Sequence, residues 1–288
     1  MTQDKTLQNK VAVVTGGARG IGKALVTALV ERGAKVVIGD LLEAEGKQLV
    51  ETLNEQNSEK VAVYLKTDVT TWDDNKSLFK LAEDEFGGVD IACMNAGIGE
   101  VPDSIFSPLE GDFKSLDVNL NAVIKGNKVA VLHLNKRGGG VIVNTASVAG
   151  FLTHGAFPLY NASKHGVVGW TRSLDNLREI ANIRVNMVNP YWVETDIIKS
   201  ITSLEFLDVA PKVPMATVIE AFMKAVEDET CHGETILALP DGIHLHPRVQ
   251  LWESCYNKEM LTVGQQSQKH HIEAMKIALE QARARENI

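Results

Sequence analysis

The sequence predicts an α/β fold: a doubly wound parallel sheet of about seven strands with helices on both faces. Three observations lead there. Short apolar, β-branched runs recur along the chain, and longer amphipathic stretches separate them. The runs are apolar throughout and do not alternate, as expected of strands covered by helices on both faces.

In chain order the strands are expected at 11–14, 36–38, 61–65, 89–94, 141–143, 183–188 and 235–239. The helices between them are legible from their endings. One over 23–31 closes at Arg32-Gly33, and one over 73–86 closes at Gly87-Gly88. Each places glycine just past the last turn, where a left-handed backbone is wanted. Between Asp196 and Pro214 the pattern breaks into Ile197, Ile198, Ile201, Leu204, Phe206 and Leu207 with no clean period, and is read as a cover over a pocket. After Leu239 a His- and Pro-bearing loop is expected, then a polar helix from about Gln265 to Glu286. The βα rhythm thus fills 1–241, including the cover at about 196–214, and 242–288 form a C-terminal tail with a helix.

Bulk properties narrow the function. The chain has 288 residues, 44% hydrophobic and 23% charged, enough for a large core near the upper limit of one domain. Its net charge of -8 and lack of a Lys/Arg-dense run argue against nucleic acid, which needs a basic face to release counterions. Cys93, Cys231 and Cys255 are too few and scattered for a disulfide framework or a zinc site. A reducing, cytoplasmic setting fits. The polar start, Met1 to Lys10, carries no apolar signal core, and no apolar run reaches the length of a membrane span. His244/His246 and His270-His271 lack a carboxylate or thiol at matching spacing, so no metal is expected. Trp252 and Tyr256 read as packing anchors for the tail.

The chemistry begins directly after the first strand, at Thr15-Gly16-Gly17-Ala18-Arg19-Gly20-Ile21-Gly22, with a helix following at once. Glycines here permit a tight turn and a close backbone approach to a pyrophosphate, and the helix N-terminus offers N–H groups to the anion. The bland alternative is a plain strand-to-helix turn. The context makes the first 241 residues a Rossmann-like dinucleotide-binding and catalytic unit. Asp40 ends the second strand, eighteen positions after Gly22, where a carboxylate accepts from ribose hydroxyls and repels a 2′-phosphate. That favours NAD over NADP, although Asp40 could equally cap the helix beginning near Leu41. Arg19 pulls the other way, since it could receive a 2′-phosphate if it left Asp40, its expected partner when no phosphate is present.

Tyr160 and Lys164 stand four residues apart on a helix that follows Pro158, so they share a face. Tyrosine is a poor base near neutrality unless a cation favours phenolate, and Lys164 with a positively charged nicotinamide ring is expected to supply that shift. Tyr-x-x-x-Lys alone is ordinary helix surface; its value lies in company. Ser147, thirteen positions before Tyr160, ends the strand run in Asn144-Thr145-Ala146-Ser147, where a hydroxyl points into the crevice of an open α/β sheet. Standing alone it would be a turn serine.

The glycine turn, Asp68-Val69, Asn95-Ala96-Gly97, Asn119, Ser147, Tyr160/Lys164 and Pro190…Thr195 together resemble the ordered signature of the short-chain dehydrogenase/reductase family, over about 9–241. The resemblance implies that Gly16, Gly20, Ile21 and Gly22 hold a pyrophosphate, Asp40 the ribose, and Asp68 and Val69 the adenine. Asn95, Ala96 and Gly97 would line the adenosine side. It implies that Asn119 fixes a relay water, Ser147 holds the substrate oxygen, and Tyr160 exchanges its proton. Lys164 would also bind the nicotinamide ribose, and Val193 and Thr195, following Pro190, the carboxamide. A homodimer or homotetramer built on the helices over 113–136 and 158–180 is implied too. Two departures stand out: Met94 where a second Asn often precedes Asn95, and Tyr191 where glycine usually follows Pro190.

The expected activity is therefore NAD(H)-dependent interconversion of a largely apolar secondary alcohol and its ketone. Two other readings stay open. One is a regulatory or assembly protein that keeps the nucleotide fold without catalysis; the other is an NADPH-dependent ketone reductase of specialised metabolism.

Overall fold

The computed structural model describes residues 5–99, 113–153, 155–199, 209–248 and 258–288, with the side chains of Lys199 and 258–270 excepted. The strands are β1 (Val11–Thr15), β2 (Lys35–Asp40), β3 (Ala62–Lys66), β4 (Ile91–Met94), β5 (Gly140–Thr145), β6 (Ile183–Pro190), β7 (Thr235–Leu239) and β8 (Gly242–Leu245). They form one sheet in the order β3-β2-β1-β4-β5-β6-β7-β8. β1 to β7 run parallel, and β8 pairs antiparallel with β7. The chain leaves β1 outward to β3, then returns to the other side of β1 at β4. That reversal opens a crevice beyond the carboxyl ends of β1 and β4.

Helices α1 (Gly20–Glu31), α2 (Glu43–Glu55) and α3 (Trp72–Phe86) follow β1, β2 and β3. Past β4 come α4 (Lys114–Leu116), a π-helical turn (Asp117–Asn121) and α5 (Ala122–Arg137). Then come α6 (Pro158–Ser173), α7 (Leu177–Ala181), α8 (Asp196–Lys199), α9 (Met215–Glu227) and the C-terminal α10 (Lys258–Glu286). The expected glycine endings hold: Gly33 at φ 90° follows α1, and Gly87 at φ 82° closes α3, whose start Thr71 caps by accepting from Asp74 N at 3.2 Å.

The unbroken apolar strands have a direct explanation in the two cores. In β1, Ala12 and Val14 face a core with Leu25, Leu29, Val218 and Phe222 from α1 and α9. Val11 and Val13 face the opposite core with Leu78, Phe79, Leu134 and Val167 from α3, α5 and α6. Both faces are buried, so every position must be apolar. At about 25 cal/mol per Å² of apolar surface removed from water, these two cores are the main source of stability.

One expectation fails here. The stretch after Leu239 is not wholly loop: Leu239 pairs with Gly242, Leu237 with His244 and Ile236 with Leu245, making an eighth strand. The Pro240-Asp241-Gly242 turn, with Gly242 at φ 135°, returns the chain at once, which is ordinary turn chemistry at a hairpin. The tail helix also begins earlier than expected, at Lys258. It packs on α5 and α7, burying Ile272 and seating Leu279 against the core, with Arg283 donating to Asn135 Oδ1 at 3.1 Å and Lys76 pairing with Glu286 at 2.6 Å. Ile201, Leu204, Phe206 and Leu207 of the expected cover, Trp252, Tyr256 and Cys255 lie outside the described residues.

Candidate active site

A cleft of about 760 Å³ lies beyond the carboxyl ends of the central strands. One end is built by the glycine turn. Gly16 sits at φ 64°, and a Cβ there would come within 2.7 Å of Ala96 Cα; at Gly22 a Cβ would lie 2.0 Å from Gly16 O. The backbone therefore closes on itself with no room for side chains. α1 starts after Arg19, which is extended and makes no side-chain cap, and Gly20, Ile21 and Gly22 of its first turn line the cleft. Such a cradle at a helix N-terminus fits a pyrophosphate.

Around this turn, Asn95 ties β4 to β1. Its Nδ2 donates to Gly16 O at 3.0 Å and Thr15 O at 3.2 Å, while Thr15 Oγ1 accepts from the amides of Asn95 at 3.0 Å and Ala96 at 3.2 Å. Asp40 Oδ2 accepts from Ala18 N at 2.9 Å and its Oδ1 from Leu42 N at 3.0 Å. The carboxylate thus stitches the glycine turn to β2 and holds the chain at Leu42, where α2 begins without a side-chain cap, so Asp40 is not the helix cap that the sequence also offered. Arg19 is placed differently from the expectation: its partner is Asp196 at 3.6 Å, at the start of α8, and not Asp40. Asp40 is meanwhile held by the two backbone amides. Asp68, Val69, Gly97 and Ile98 complete this end. Thr70 donates to Asp68 Oδ1 through its hydroxyl at 2.7 Å and its amide at 2.9 Å, and these bonds hold the Asp68 carboxyl below its usual range.

At the other end stand the four candidate catalytic side chains. Asn119, fully buried, lies in the π-helical turn before α5. Its Oδ1 accepts from Ile98 N at 2.8 Å and its Nδ2 donates to Ile98 O at 3.0 Å. The extra residue of a π turn re-aims a side chain and is common at functional sites. Ser147 follows β5; its hydroxyl accepts from Ala149 N at 3.1 Å and donates to Pro190 O at 3.3 Å. Tyr160 and Lys164 sit on α6, with Lys164 Nζ 5.6 Å from the Tyr160 ring centroid and donating to Thr145 O at 3.0 Å.

The expected lowering of the Tyr160 phenol joined Lys164 to a bound nicotinamide ring, and the protein's own contribution runs the other way. Burial pushes its phenol up, opposed by a hydrogen bond with Ser147, and burial pushes the Lys164 ammonium down to about 8. Lys164 alone does not supply the downward shift, because desolvation disfavours the charged form of both groups. The protein by itself therefore favours a neutral phenol.

Pro190, Val193 and Thr195 line the cleft; Val193 is buried, and Thr195 Oγ1 donates to Val193 O at 3.3 Å. Tyr191 packs on the core beside β7, its amide donating to Ala238 O at 3.0 Å, and its ring meets Trp192 edge-on at 6.0 Å. Met94 is buried and packs in the α3–α5 core, as an apolar residue at a strand end should. Among the described residues no group of three His, Cys, Asp or Glu could hold a metal, and no helix is long and apolar enough to cross a membrane. His244 pairs with Asp241 and His246 stacks on Phe151.

Sequence reasoning passed over Thr15, Thr70 and the Thr145 carbonyl. Thr15 carries a signal, a hydroxyl at a strand end immediately before the glycine turn. A backbone acceptor such as Thr145 O carries none.

Comparison with known proteins gives the class. The family described as short chain dehydrogenase matches residues 10–205. The chain belongs to the short-chain dehydrogenase family and is an oxidoreductase of that kind. Among particular relatives, it is 35% identical over 205 residues to 15-hydroxyprostaglandin dehydrogenase [NAD(+)] of Homo sapiens, covering 69% of this chain and 74% of the relative. The Mus musculus protein of the same name is 29% identical over 259 residues, 83% of this chain and 93% of that one. An uncharacterized oxidoreductase of Thermotoga maritima is 36% identical over 189 residues, 66% and 73% of the two chains.

Proposed function

We propose that this protein is an NAD(H)-dependent oxidoreductase that interconverts a largely apolar secondary alcohol and its ketone, with Tyr160 as the proton-transfer group. The observation that carries this reading is convergence: Ser147, Tyr160 and Lys164 line the same cleft as a glycine cradle in which a Cβ at Gly22 would strike Gly16 O at 2.0 Å. A nicotinamide dinucleotide, when bound, supplies the hydride acceptor or donor. Gly16, Gly20, Ile21 and Gly22 would hold its pyrophosphate, Asp40 its adenosine ribose, Asp68 and Val69 its adenine, and Asn95, Ala96 and Gly97 its adenosine side. Pro190, Val193 and Thr195 would flank the nicotinamide end.

In the oxidation direction, Ser147 would hold the substrate oxygen by hydrogen bond, and Tyr160 as phenolate would take the hydroxyl proton while the hydride on the carbon bearing that oxygen passes to the bound nicotinamide. In reduction Tyr160 returns a proton to the oxygen. With the cofactor bound, Lys164 in its charged form would help the positively charged nicotinamide ring to favour the phenolate, and would bind the nicotinamide ribose. Asn119, which like Lys164 lies next to Gly97, would hold a water for proton exchange with solvent.

Asp40 favours NAD: a 2′-phosphate about 4 Å from its carboxylate would meet about 4 kcal/mol of repulsion at intermediate dielectric. The NAD(+) in the names of the two 15-hydroxyprostaglandin dehydrogenases supports the same choice. Val148, Leu152, Phe157, Trp192, Ile197 and Ile198 line the cleft. Such walls favour an apolar substrate, since a charged one would lose hydration without partners. We expect a homodimer or homotetramer on the α5 and α6 faces; a monomeric mass by light scattering at micromolar concentration contradicts it.

The test is a panel of secondary alcohols with NAD and NADP, and of ketones with NADH and NADPH. Higher kcat/KM on lipid-like or cyclic members with the unphosphorylated cofactor is expected. Faster turnover of phosphorylated sugars, or no turnover by a chain that binds NADH, overturns the proposal.

A further inference from the structure

Behind the cleft, a buried polar network joins the three elements that carry the site. Asn127 on α5 and Asn144 on β5 exchange amide hydrogen bonds: Asn127 Nδ2 donates to Asn144 Oδ1 at 2.8 Å, and Asn144 Nδ2 donates back to Asn127 Oδ1 at 3.0 Å. From α6, Trp170 Nε1 donates to Asn127 Oδ1 at 3.0 Å, and Thr171 Oγ1 accepts from Asn144 Nδ2 at 3.0 Å. Thr171 spends its own proton on Val167 O at 2.7 Å, so its role toward Asn144 is fixed as acceptor. Asn127, Asn144 and Thr171 are at most 1% exposed.

The network sits at fixed chain distances from the catalytic candidates. Asn144 precedes Ser147 by three residues, and Thr171 lies seven residues, two helical turns, beyond Lys164 on the same face of α6. Asn127, on α5, follows Asn119 of the preceding π-helical turn by eight residues. Lys164 itself donates to Thr145 O, the residue after Asn144. The joint between α6 and β5 is therefore pinned twice, once at the ammonium and once two turns further on.

Apolar side chains could fill the same volume. A buried amide costs desolvation unless its bonds are made, and a complete set adds little net stability over well-packed hydrocarbon. What directional bonds add is a single register and rotation of each helix, which sliding apolar contacts do not enforce. We infer that Asn127, Asn144, Trp170 and Thr171 are positioning residues that hold α5, β5 and α6 so that Ser147, Tyr160 and Lys164 converge. The inference rests on the proposed function above.

The test compares Thr171→Val, which keeps the shape and loses the acceptor, with Thr171→Ser, which restores it, and with the apolar double replacement Asn127→Leu/Asn144→Leu. The readouts are kcat, substrate KM, NADH Kd by fluorescence, and thermal midpoint. Thr171→Val is expected to lower kcat about tenfold with KM and NADH Kd within about twofold, and Thr171→Ser to recover kcat to within about threefold. The double variant is expected to keep a cooperative thermal transition near the wild-type midpoint and still lose kcat. Wild-type kcat in Thr171→Val, or a loss that follows the folded fraction and that serine does not recover, overturns the inference alone. A wild-type chain that binds NADH yet turns over nothing in the panel overturns the proposed function, and the inference with it.

Discussion

Gly22→Ala tests the glycine cradle by a route that local propensity would get wrong. Gly22 has no left-handed φ and lies in the first turn of α1, where alanine is ordinarily better by about 1 kcal/mol. The surroundings forbid it: the added Cβ would stand 2.0 Å from Gly16 O, 2.8 Å from Gly16 C and 2.7 Å from Asn95 Nδ2. Two of these are backbone atoms, so relief requires the turn itself to move by about 1 Å or more. That movement also breaks the bond from Asn95 Nδ2 to Gly16 O, now 3.0 Å. Overpacking of this kind costs about 1–3 kcal/mol and a lost hydrogen bond about 1, against the propensity gain of about 1, leaving a net loss of about 2 kcal/mol. The thermal midpoint should fall by several degrees. NADH affinity, measured by fluorescence titration on the folded variant, should fall at least about tenfold, or about 1.4 kcal/mol. Wild-type midpoint and affinity in Gly22→Ala would refute the reasoning.

Two further outcomes are expected. Asp40→Ser should shrink or reverse an NAD preference of at least about tenfold in kcat/KM, and should lower stability through the lost bonds from Ala18 N and Leu42 N; an unchanged cofactor ratio would leave Asp40 as a backbone clamp only. Lys164→Met should report the buried ammonium. The folded pKa of about 8 lies below the unfolded value near 10.5, so burial penalises the wild type most at low pH and the penalty fades as pH rises from about 8 to about 10.5. Wild type should therefore gain about 2 kcal/mol relative to Lys164→Met between about pH 7 and about pH 10 in denaturant titrations. A pH-independent difference would show that Lys164 is not desolvated.

Much of this was legible from residue order. Strands buried on both faces must be apolar throughout, so β1 to β7 announced themselves, and glycines between a strand and a helix marked the cradle. Ser147, Tyr160 and Lys164 were legible by their company, since each alone is commonplace. What escaped was tertiary. The partner of Arg19 is Asp196, 177 residues away, and no local pattern links them. The direction of the Tyr160 shift depends on how deeply α6 buries it, which a four-residue spacing does not reveal. β8 was missed for a different reason: Pro240-Asp241-Gly242 is a hairpin signal, but a four-residue strand with His244 exposed on it is too short and polar to read as one.

The central claim, that Tyr160 transfers the proton, is met most directly by Tyr160→Phe, which removes one oxygen from a half-buried ring and little else. The account predicts turnover lowered by about 100-fold or more, the range of positioned acid–base catalysis. NADH affinity and thermal midpoint should stay near those of the wild type. A variant that binds NADH and keeps a substantial fraction of wild-type kcat would contradict it.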